Sequence, residues 1–434
     1  MKRSPFPLLL PIVLALGALH AGAADLYLTP EGAGKKDGSG WQNALSQAEF
    51  AATVNGKMQP GDRLMLGGGN YANMSLKITA GGAAGKPKVI EGVDRGAGLP
   101  TFTSNWTIEQ PDKGATAISF DPDVSYVSIV HLRIKNYCFG IHNLPAGDKP
   151  RTHLVFDDID VEQARHPFYL ADCDDLLIQN CDIKRYSKHG FRFDQGCDRV
   201  TVRKCTADCS EGDAVWETKT EIFPFGFSLN DGGTPNTEFL FEDCVTRNNL
   251  KSNQMKGGQP IRYTNGDGFV IEGNSRGVTF TRCRSLHNQD GGFDLKVADV
   301  KLTGCIATGN RRDYRIWTSG TLTNCFGGWS TVGLWSKSGA VTATRCTFHE
   351  ERGMAAEAED KATSAITLND CLITSSTAAT KPAKSMVNLK NTVVVTPGSP
   401  GKDPGYPKVD PKWDGTGNAM DSAAYPDKGY RSKP

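Results

Sequence analysis

A short hydrophobic–polar phrase recurs along much of the chain and usually ends in cysteine. Each copy has an apolar residue, any residue, a second apolar residue, two further residues and then Cys, as in LLIQNC ending at Cys181. The other copies end at Cys205, Cys244, Cys283, Cys305, Cys325, Cys346 and Cys371, and Leu132 and Ile159 fill the same slot upstream. Alternation of apolar and polar positions is typical of a β-strand with one buried side.

The spacing of these phrases indicates the architecture. Successive copies lie 20 to 27 residues apart, except for two steps of 39 residues, and a second short strand such as 269–271 or 293–295 follows many of them. A repeat of this length with two or three strands predicts one turn of a parallel β-helix. The Leu-rich phrase and helical return of a leucine-rich repeat are missing. We therefore expect an all-β fold, a single-stranded parallel β-helix of about ten or more coils.

The cysteines are expected to form an internal column. Equivalent residues of successive coils stack about 4.8 Å apart, so the phrase-ending thiols would lie above one another as small buried hydrophobes. Disulfide bonds between neighbouring cysteines of the column are the alternative, because this separation falls in the range of a disulfide. Cys173 and Cys197 are better disulfide candidates, since each lies eight residues before a column cysteine. The sequence contains no CxxC pair, so the cysteines are not expected to bind a metal.

The N-terminus has the features of an export signal. A basic start at residues 2–3, an apolar run over 8–19 and small residues at 21–24 predict a signal peptide spanning 1–24, cleaved near Ala23 or Ala24. The apolar run is too short for a membrane span, and no later segment is long and apolar enough. We expect a secreted or periplasmic protein without a membrane partner.

The rest of the chain divides into three parts. Residues 25–100 are expected to form an N-terminal cap, with a helix around 42–54, and the first coils. A cap is required because the first coil otherwise exposes its core and unpaired strand edges. Residues 101–380 are expected to form the β-helix that carries the candidate site, and 381–434 an irregular C-terminal cap or tail.

Composition narrows the range of partners. The 434 residues are 38% hydrophobic and carry a formal net charge of +1. A disordered or collagen-like chain is therefore excluded, and nothing indicates non-specific nucleic-acid binding, which needs a basic excess. We expect a monomer.

The two long steps predict loops that border the coil containing NGDGF. Residues 209–225 and 250–264 are expected to loop out, and long loops on a rigid scaffold often carry function. The second loop offers three cations for substrate binding, Lys251, Lys256 and Arg262, and the first offers rings for stacking on sugars, Trp216, Phe223 and Phe225. A solvated loop with incidental charges is the alternative.

Three aspartates follow in neighbouring coils. The motifs NGDGF and NQDGGFD contain Asp267, Asp290 and Asp294, and aligning Phe269 with Phe293 places Asp267 opposite Gly291. Gly291 and Gly292 are expected to bend the chain tightly and bring the carboxylates within about one coil spacing. Calcium prefers oxygen ligands of this kind, so we expect a Ca²⁺ site. Ordinary turn aspartates are the alternative.

Basic residues come next on the same face. Aligning Tyr314 with Phe293 places Arg315 one coil below Asp294, with Arg311 and Arg312 nearby as substrate-binding candidates. Lys296 points outward two residues after Asp294. A plain surface Arg–Asp pair is the alternative, and such a pair contributes little to stability.

The stretch NGDGFVIEGNSRGVTFTRCRSLHNQDGGFDL resembles the pectate lyases of polysaccharide lyase family 9, which are right-handed parallel β-helices. The likeness covers residues 150–320 and is most specific over 265–295. It implies that Asp267, Asp290 and Asp294 are calcium ligands. Gly291 stands where the family has a further Asp, and Arg315 where it has the lysine base.

The resemblance implies a calcium-dependent lyase that cleaves an anionic, uronate-containing polysaccharide by β-elimination. Calcium would stabilise charge on the uronate carboxylate while a neutral base takes the C5 proton. Arg315 ranks first as base by position. Because arginine is normally always protonated, Arg315 instead clamps the substrate carboxylate in the alternative scheme, with Lys296 or Lys256 as base. A non-catalytic exopolysaccharide-binding β-helix, and a hydrolase or C5-epimerase that uses the same carboxylates, are the competing functions.

Overall fold

The computed structural model describes residues 22–217, 223–230, 232–250, 255–256, 259–260, 265–350, 353–359, 364–375, 386–395, 421–422 and 424–432. Three parallel sheets wind around one hydrophobic core, and each strand pairs with the equivalent strand of the coil before and after it. The chain is therefore a parallel β-helix of more than ten coils within the described residues, as the repeat predicts.

The first sheet contains the strands that precede the cysteines. Its strands are β1 (Asp25–Leu28), β2 (Arg63–Gly67), β5 (Lys88–Val93), the beginnings of β8 (Ser125–His142) and β9 (Arg151–Leu170), β10 (Cys173–Asp174), β11 (Leu177–Gln179), β14 (Asp198–Arg203), β17 (Thr237–Glu242), β22 (Thr279–Thr281), β25 (Val300–Thr303), β28 (Gly320–Thr323), β31 (Gly339–Thr344), β34 (Ser364–Asn369) and β36 (Met386–Lys390).

The second sheet follows directly after the cysteine in each coil. Its strands are β3 (Gly69–Ala72), β6 (Pro100–Thr103), the middle of β8 and β9, β12 (Asp182–Tyr186), β15 (Thr206–Asp208), β18 (Val245–Arg247), β23 (Arg284–Leu286), β26 (Ile306–Thr308), β29 (Phe326–Gly328), β32 (Thr347–Glu350), β35 (Leu372–Ser375) and β37 (Val393–Val395).

The third sheet carries the predicted aspartates. Its strands are β4 (Leu76–Ile78), β7 (Thr116–Phe120), the ends of β8 and β9, β13 (His189–Phe193), β16 (Phe225–Leu229), β21 (Asp267–Ile271), β24 (Gly291–Leu295), β27 (Arg312–Ile316), β30 (Val332–Ser336) and β33 (Met354–Ala358). Outside the helix, β19 (Met255–Lys256) and β20 (Gln259–Pro260) form a small antiparallel pair.

The cysteine column lies in the interior, as predicted. All eight phrase-ending cysteines are at most 1% exposed, and Leu132 pairs with Ile159 in the slot that Cys181 occupies one coil later. The residue before each of these cysteines has a positive φ, for example 54° at Asn180 and 65° at Gly304. This left-handed residue turns the chain from the first sheet into the second, which explains why Asn, Asp and Gly recur there.

None of the described cysteines forms a disulfide, so the structure does not contain the bond proposed between Cys173 and Cys197. The two residues do occupy equivalent places in neighbouring coils, because Asp174 pairs with Asp198. Burial and the neighbouring Cys173 thiol raise the pKa of Cys197 well above its usual value, which keeps Cys197 protonated and unreactive.

Stacked aromatic rings fill the core beneath the third sheet. Phe191, Phe227, Phe269, Phe293 and Tyr314 form a continuous stack with centroid separations of 4.6 to 5.3 Å. The rings are nearly parallel, because each sits at the same position of successive strands. This stack fixes which neighbours of these residues point outward.

Short helical segments cap the N-terminal end. Two 3₁₀ turns (Trp41–Asn43 and Gln47–Glu49) precede helix α1 (Phe50–Ala52) and a π turn (Thr53–Lys57), close to the expected cap helix. Phe50 and Val54 belong to this segment, and their side chains are fully buried. The second helix, α2, spans Ala214–Glu217. None of the described helices is both long and apolar enough to cross a bilayer.

Candidate functional site

Strand register brings the predicted aspartates to one place on the third sheet. Phe269 pairs with Phe293 and Val270 with Asp294, and Asp294 pairs in turn with Arg315. These are the alignments that the sequence predicts. Asp294 lies between two inward-pointing residues and therefore leaves the sheet on its outer side.

Gly291 leaves space for the carboxylate of Asp267. The Gly291 backbone N–H donates to Asp267 Oδ1 at 2.6 Å, and a Cβ added at Gly291 would lie 2.8 Å from that oxygen. The predicted tight bend at Gly291 and Gly292 is wrong, because Gly291–Leu295 is a regular strand. The missing side chain matters through space: a fourth aspartate at 291 would require Asp267 to move.

Arg315 joins the other two aspartates. Its Nη1 lies 3.4 Å from Asp290 Oδ2 and 3.5 Å from Asp294 Oδ2, and all three side chains are nearly inaccessible to solvent. Arg311 approaches the other oxygen of Asp290 at 3.5 Å but is half exposed. The arginines and the two aspartates thus lie near the outer limit of ion-pair distance.

Two tryptophans cover this cluster. Trp317 Nε1 donates to Asp294 Oδ1 at 2.5 Å, and the Arg315 guanidinium lies 4.7 Å from the Trp317 ring and 5.4 Å from the Trp335 ring. Cation–π attraction of this kind strengthens when water is excluded. These contacts explain why Asp294 is 1% exposed although it lies outside the sheet.

Lys296 sits at the margin of the cluster. Its Nζ lies 3.5 Å from Asp294 Oδ2 and forms a close ion pair with Glu272, the equivalent residue of the preceding coil. The side chain is a quarter exposed, so Lys296 is the basic residue of the cluster that reaches both solvent and Asp294.

Burial makes Asp267 and Asp290 harder to ionise. It raises the pKa of Asp267 well above its usual value, with Asp294 and Asp290 adding like-charge repulsion. Burial also raises the pKa of Asp290, although Arg315 and Arg311 oppose that effect. Buried carboxyls with neighbours of the same sign tend to retain a proton.

The carboxylate oxygens of the cluster suit a hard cation, but the Arg315 guanidinium already lies between two of the carboxylates. Asp290 Oδ1 and Asp294 Oδ2 are buried and accept no hydrogen bond from the described residues, and carboxylate oxygens are the ligands that calcium prefers. However, the described part of the chain contains no three acidic, histidine or cysteine side chains grouped around a common metal position. The Arg315 guanidinium takes the bridging place between Asp290 and Asp294.

An asparagine ladder fixes the turns that lead into these strands. The buried amides of Asn249, Asn288 and Asn310 are linked by Nδ2–H donations to Oδ1 at 2.7 and 2.9 Å. Asp290 N–H then donates to the Gly266 carbonyl at 3.0 Å. The entry point of each site strand is thereby held relative to its neighbour.

The remaining predicted substrate-binding residues fare differently. Arg312 pairs with Gly291 and lies 5.4 Å from the Trp335 ring, beside the cluster. Trp216 is only 7% exposed and lines a separate cavity of about 410 Å³ that also includes Trp106, so its predicted role as an open stacking platform at the aspartates is not supported. Lys251 and Arg262 lie outside the described residues, as does the side chain of Lys256.

Sequence reasoning did not identify Trp317, Trp335 or Glu272. Each pairs with or lies in line with a residue that was identified: Trp335 with Arg315, and Trp317 and Glu272 with Lys296. Extending the coil alignment one position beyond the strand triplet would have found them.

Comparison with known proteins supports the fold. A family model described as a right-handed β-helix region matches residues 226–393, a segment that includes the aspartate cluster. No curated protein matches the sequence.

Solved structures of low sequence identity share the architecture. A pectate lyase, Pel9A, is 14% identical with a TM-score of 0.53 over 86% of this chain and 80% of that chain. The catalytic unit of a thermostable GH87 α-1,3-glucanase from Streptomyces thermodiastaticus strain HF3-3 is 11% identical with a TM-score of 0.51, over 87% and 69% of the two chains. The chain is thus similar to these proteins in its fold, a right-handed parallel β-helix.

Proposed function

We propose that this protein is a polysaccharide lyase that cleaves a uronate-containing glycan by β-elimination at the aspartate–arginine cluster. The observation that carries the proposal is the convergence of Asp267, Asp290 and Asp294 with Arg315 on the outer side of one sheet. Ion pairs that are buried outside the hydrophobic core contribute little to the stability of the fold. Their convergence is better explained by a charged ligand.

Arg315 suits a clamp for the substrate carboxylate better than a base. Its guanidinium is paired with two carboxylates, which favour the charged form, and its planar fork matches a carboxylate in two parallel hydrogen bonds. Lys296 is the candidate base by position, since an amine, unlike a guanidinium, can lose its proton and its Nζ lies at the solvent-facing margin, 3.5 Å from Asp294 Oδ2 and paired with Glu272. In this scheme neutral Lys296 takes the C5 proton, the C4–O bond to the departing sugar breaks as the C4–C5 double bond forms, and solvent water protonates the leaving oxygen. Trp317 and Trp335 keep bulk water from Arg315.

We further propose that Asp267, Asp290 and Asp294 hold a calcium ion. The two buried oxygens without hydrogen bonds, Asp290 Oδ1 and Asp294 Oδ2, are the acceptors available to it. Bound calcium would supply electrostatic stabilisation of charge on the uronate carboxylate. Arg315 contacts Asp294 Oδ2 and the other oxygen of Asp290, Oδ2, so we expect calcium binding to displace its guanidinium from Asp294.

A panel of uronic polysaccharides tests the proposal. The purified protein is incubated with pectate, alginate and glucuronan, with calcium and with a chelator, and products are assayed for unsaturated ends and for new reducing ends. We expect unsaturated ends on at least one substrate and their loss with chelator. Activity that survives chelation would contradict the calcium proposal alone. Affinity without cleavage, or C5 inversion without cleavage, would contradict the lyase.

Hydrolysis is the second candidate, and the raised pKa values of Asp267 and Asp290 favour it. A carboxyl that keeps its proton near neutral pH can donate it to a leaving sugar while an ionised neighbour activates water. New reducing ends without unsaturation, independent of calcium, would establish this function instead.

A further inference from the structure

A second polar cluster lies on the third sheet, toward the N-terminal end. Strand register runs from Tyr169 through Arg192, Ser228 and Val270 to Asp294. At about 4.8 Å per coil this separates Tyr169 from Asp294 by roughly 19 Å. Ser228 and Val270 are 4% exposed, so the two clusters are distinct places on one face.

Aromatic rings form the floor of this second cluster. Phe139 stacks on His142 with centroids 4.2 Å apart and on His166 at 5.1 Å, and Tyr169 meets all three edge-on. Phe139, His142 and Tyr169 are each partly exposed. Because the two imidazoles cover the faces of Phe139, the surface open to the apolar face of a sugar ring is the exposed edge of this stack together with Tyr169.

A hydrogen-bond chain with a defined direction runs beneath the rings. Arg192 Nη1 lies 3.2 Å from His189 Nε2, and His189 Nδ1 lies 3.1 Å from His166 Nδ1. Arginine only donates, so His189 Nε2 accepts and the neutral His189 carries its proton on Nδ1. His166 then accepts on Nδ1 and carries its proton on Nε2. His166 Nε2–H is then the donor at the end of the chain.

Arg192 is held in place with one donor to spare. Its Nε and Nη2 donate to Asp194 Oδ1 at 3.2 and 2.6 Å, and its guanidinium lies 5.2 Å from the Tyr169 ring. Three of its five N–H groups are used in these contacts and in the one to His189. A fourth contact, with the Tyr169 hydroxyl, leaves one N–H for a carboxylate or a sugar hydroxyl.

The neutral state of the two histidines agrees with these donor and acceptor roles. Burial lowers the pKa of both His166 and His189 well below the usual value, and the neighbouring cations Arg165, Lys188 and Arg192 lower it further. His142, the third histidine, has its pKa lowered by burial and by Arg151.

We propose that Phe139, His142, His166, Tyr169 and Arg192 form a second carbohydrate site, which binds a uronate ring. The apolar face of the sugar ring packs on the exposed edge of the Phe139–His142 stack, Arg192 contacts the carboxylate, and His166 Nε2–H donates to a hydroxyl. The choice of a uronate rests on the proposed function; the site itself rests on the geometry of the cluster.

Binding to a cleavage-deficient protein tests this site. In an Asp294→Asn background, calorimetry with a galacturonate and a mannuronate oligosaccharide is compared for Phe139→Ala and Arg192→Lys. We expect Phe139→Ala to weaken binding by about tenfold through loss of stacking and Arg192→Lys to weaken it by a similar factor. Tyr126→Ala, which removes the Tyr126–His153 stack elsewhere on the surface, is the control and should leave affinity unchanged.

The outcomes separate the two proposals. Unchanged affinity in Phe139→Ala, or an equal loss in Tyr126→Ala, would overturn the second site even if the wild type cleaves uronates. Binding that depends on Phe139 in a protein that cleaves none of the panel would overturn the lyase and leave the site standing. Equal affinity for an uncharged oligosaccharide of the same length would overturn its assignment to uronates.

Discussion

At the scale of the residue, the aspartate cluster depends on which positions have side chains and which do not. Gly291 admits the Asp267 carboxylate, and Arg315 bridges two acids. Period-two alternation and coil alignment sufficed to predict Asp267, Asp290, Asp294 and Arg315 as neighbours. The Trp317 hydrogen bond could not be predicted, because it depends on a rotamer rather than on register.

Asp294→Asn should abolish activity while preserving the fold. The change keeps the volume of the side chain and its hydrogen bond to Trp317 but removes the charge that a cation or developing positive charge needs. We expect turnover to fall by at least about 100-fold and calcium affinity to be lost, as measured by product assay and calorimetry. The exposed Asp299→Asn serves as the control; wild-type turnover in Asp294→Asn would remove Asp294 from the site.

The buried histidines predict a loss of stability on mild acidification. Because the folded state lowers the pKa of His166 and His189 well below 6.5, the unfolded chain binds more protons below that pH. The two histidines therefore make their full contribution to the free energy of unfolding above about pH 6.5. This contribution declines as pH falls toward their lowered pKa values. Denaturant unfolding of His166→Phe, which retains a ring in the stack, should show a shallower decline than wild type between pH 6.5 and 5. Equal slopes would contradict this account.

At the scale of the element, turns decide how strands enter the site. The left-handed residue before each cysteine and the asparagine ladder between sheets recur coil after coil. The cysteine phrase predicted the strands and their register, because buried side chains specify it. The bend predicted at Gly291 was wrong, because a glycine is needed there to leave space for the Asp267 carboxylate and not to allow a special backbone conformation. The predicted loop cations Lys251 and Arg262 lie outside the described residues.

Asn288→Ala should destabilise the coil that carries Asp290. Asn288 donates to Asn310 and accepts from Asn249, so its removal leaves buried polar groups without partners. We expect a loss of about 1–3 kcal/mol in the free energy of unfolding, measured by chemical denaturation. Asn105→Ala, at an exposed position, is the control; similar stabilities for the two variants would show that the ladder contributes little.

At the scale of the whole molecule, one continuous core runs the length of the helix. Stacked aromatic rings and the cysteine column belong to the same hydrophobic cluster from the N-terminal cap to the last coils. The period of the phrase was enough to predict this architecture, because every coil repeats the same burial pattern. The path of the long excursions could not be predicted, since no repeat constrains them.

The buried thiols predict a sharp difference between native and denatured protein. All twelve cysteines are buried and none forms a disulfide, so a thiol reagent should label essentially none in the native state and all twelve after denaturation without reductant. The measurement is a colorimetric titration with a non-denaturing control. A count of ten in the denatured state would indicate one disulfide, with Cys173 and Cys197 the first pair to examine by mass spectrometry.

The strict alternation around Phe293 has a consequence for how such a chain can vary in length. Deleting a single residue within β24 would turn Phe293 toward water and Asp294 into the core, so the site would vanish while the composition hardly changed. Gain or loss of an entire coil distant from Asp267 would instead preserve every local pairing, because each coil bonds only to its two neighbours. Divergent versions of this chain should therefore differ by whole coils or by excursions at turns, and seldom by one residue inside a strand.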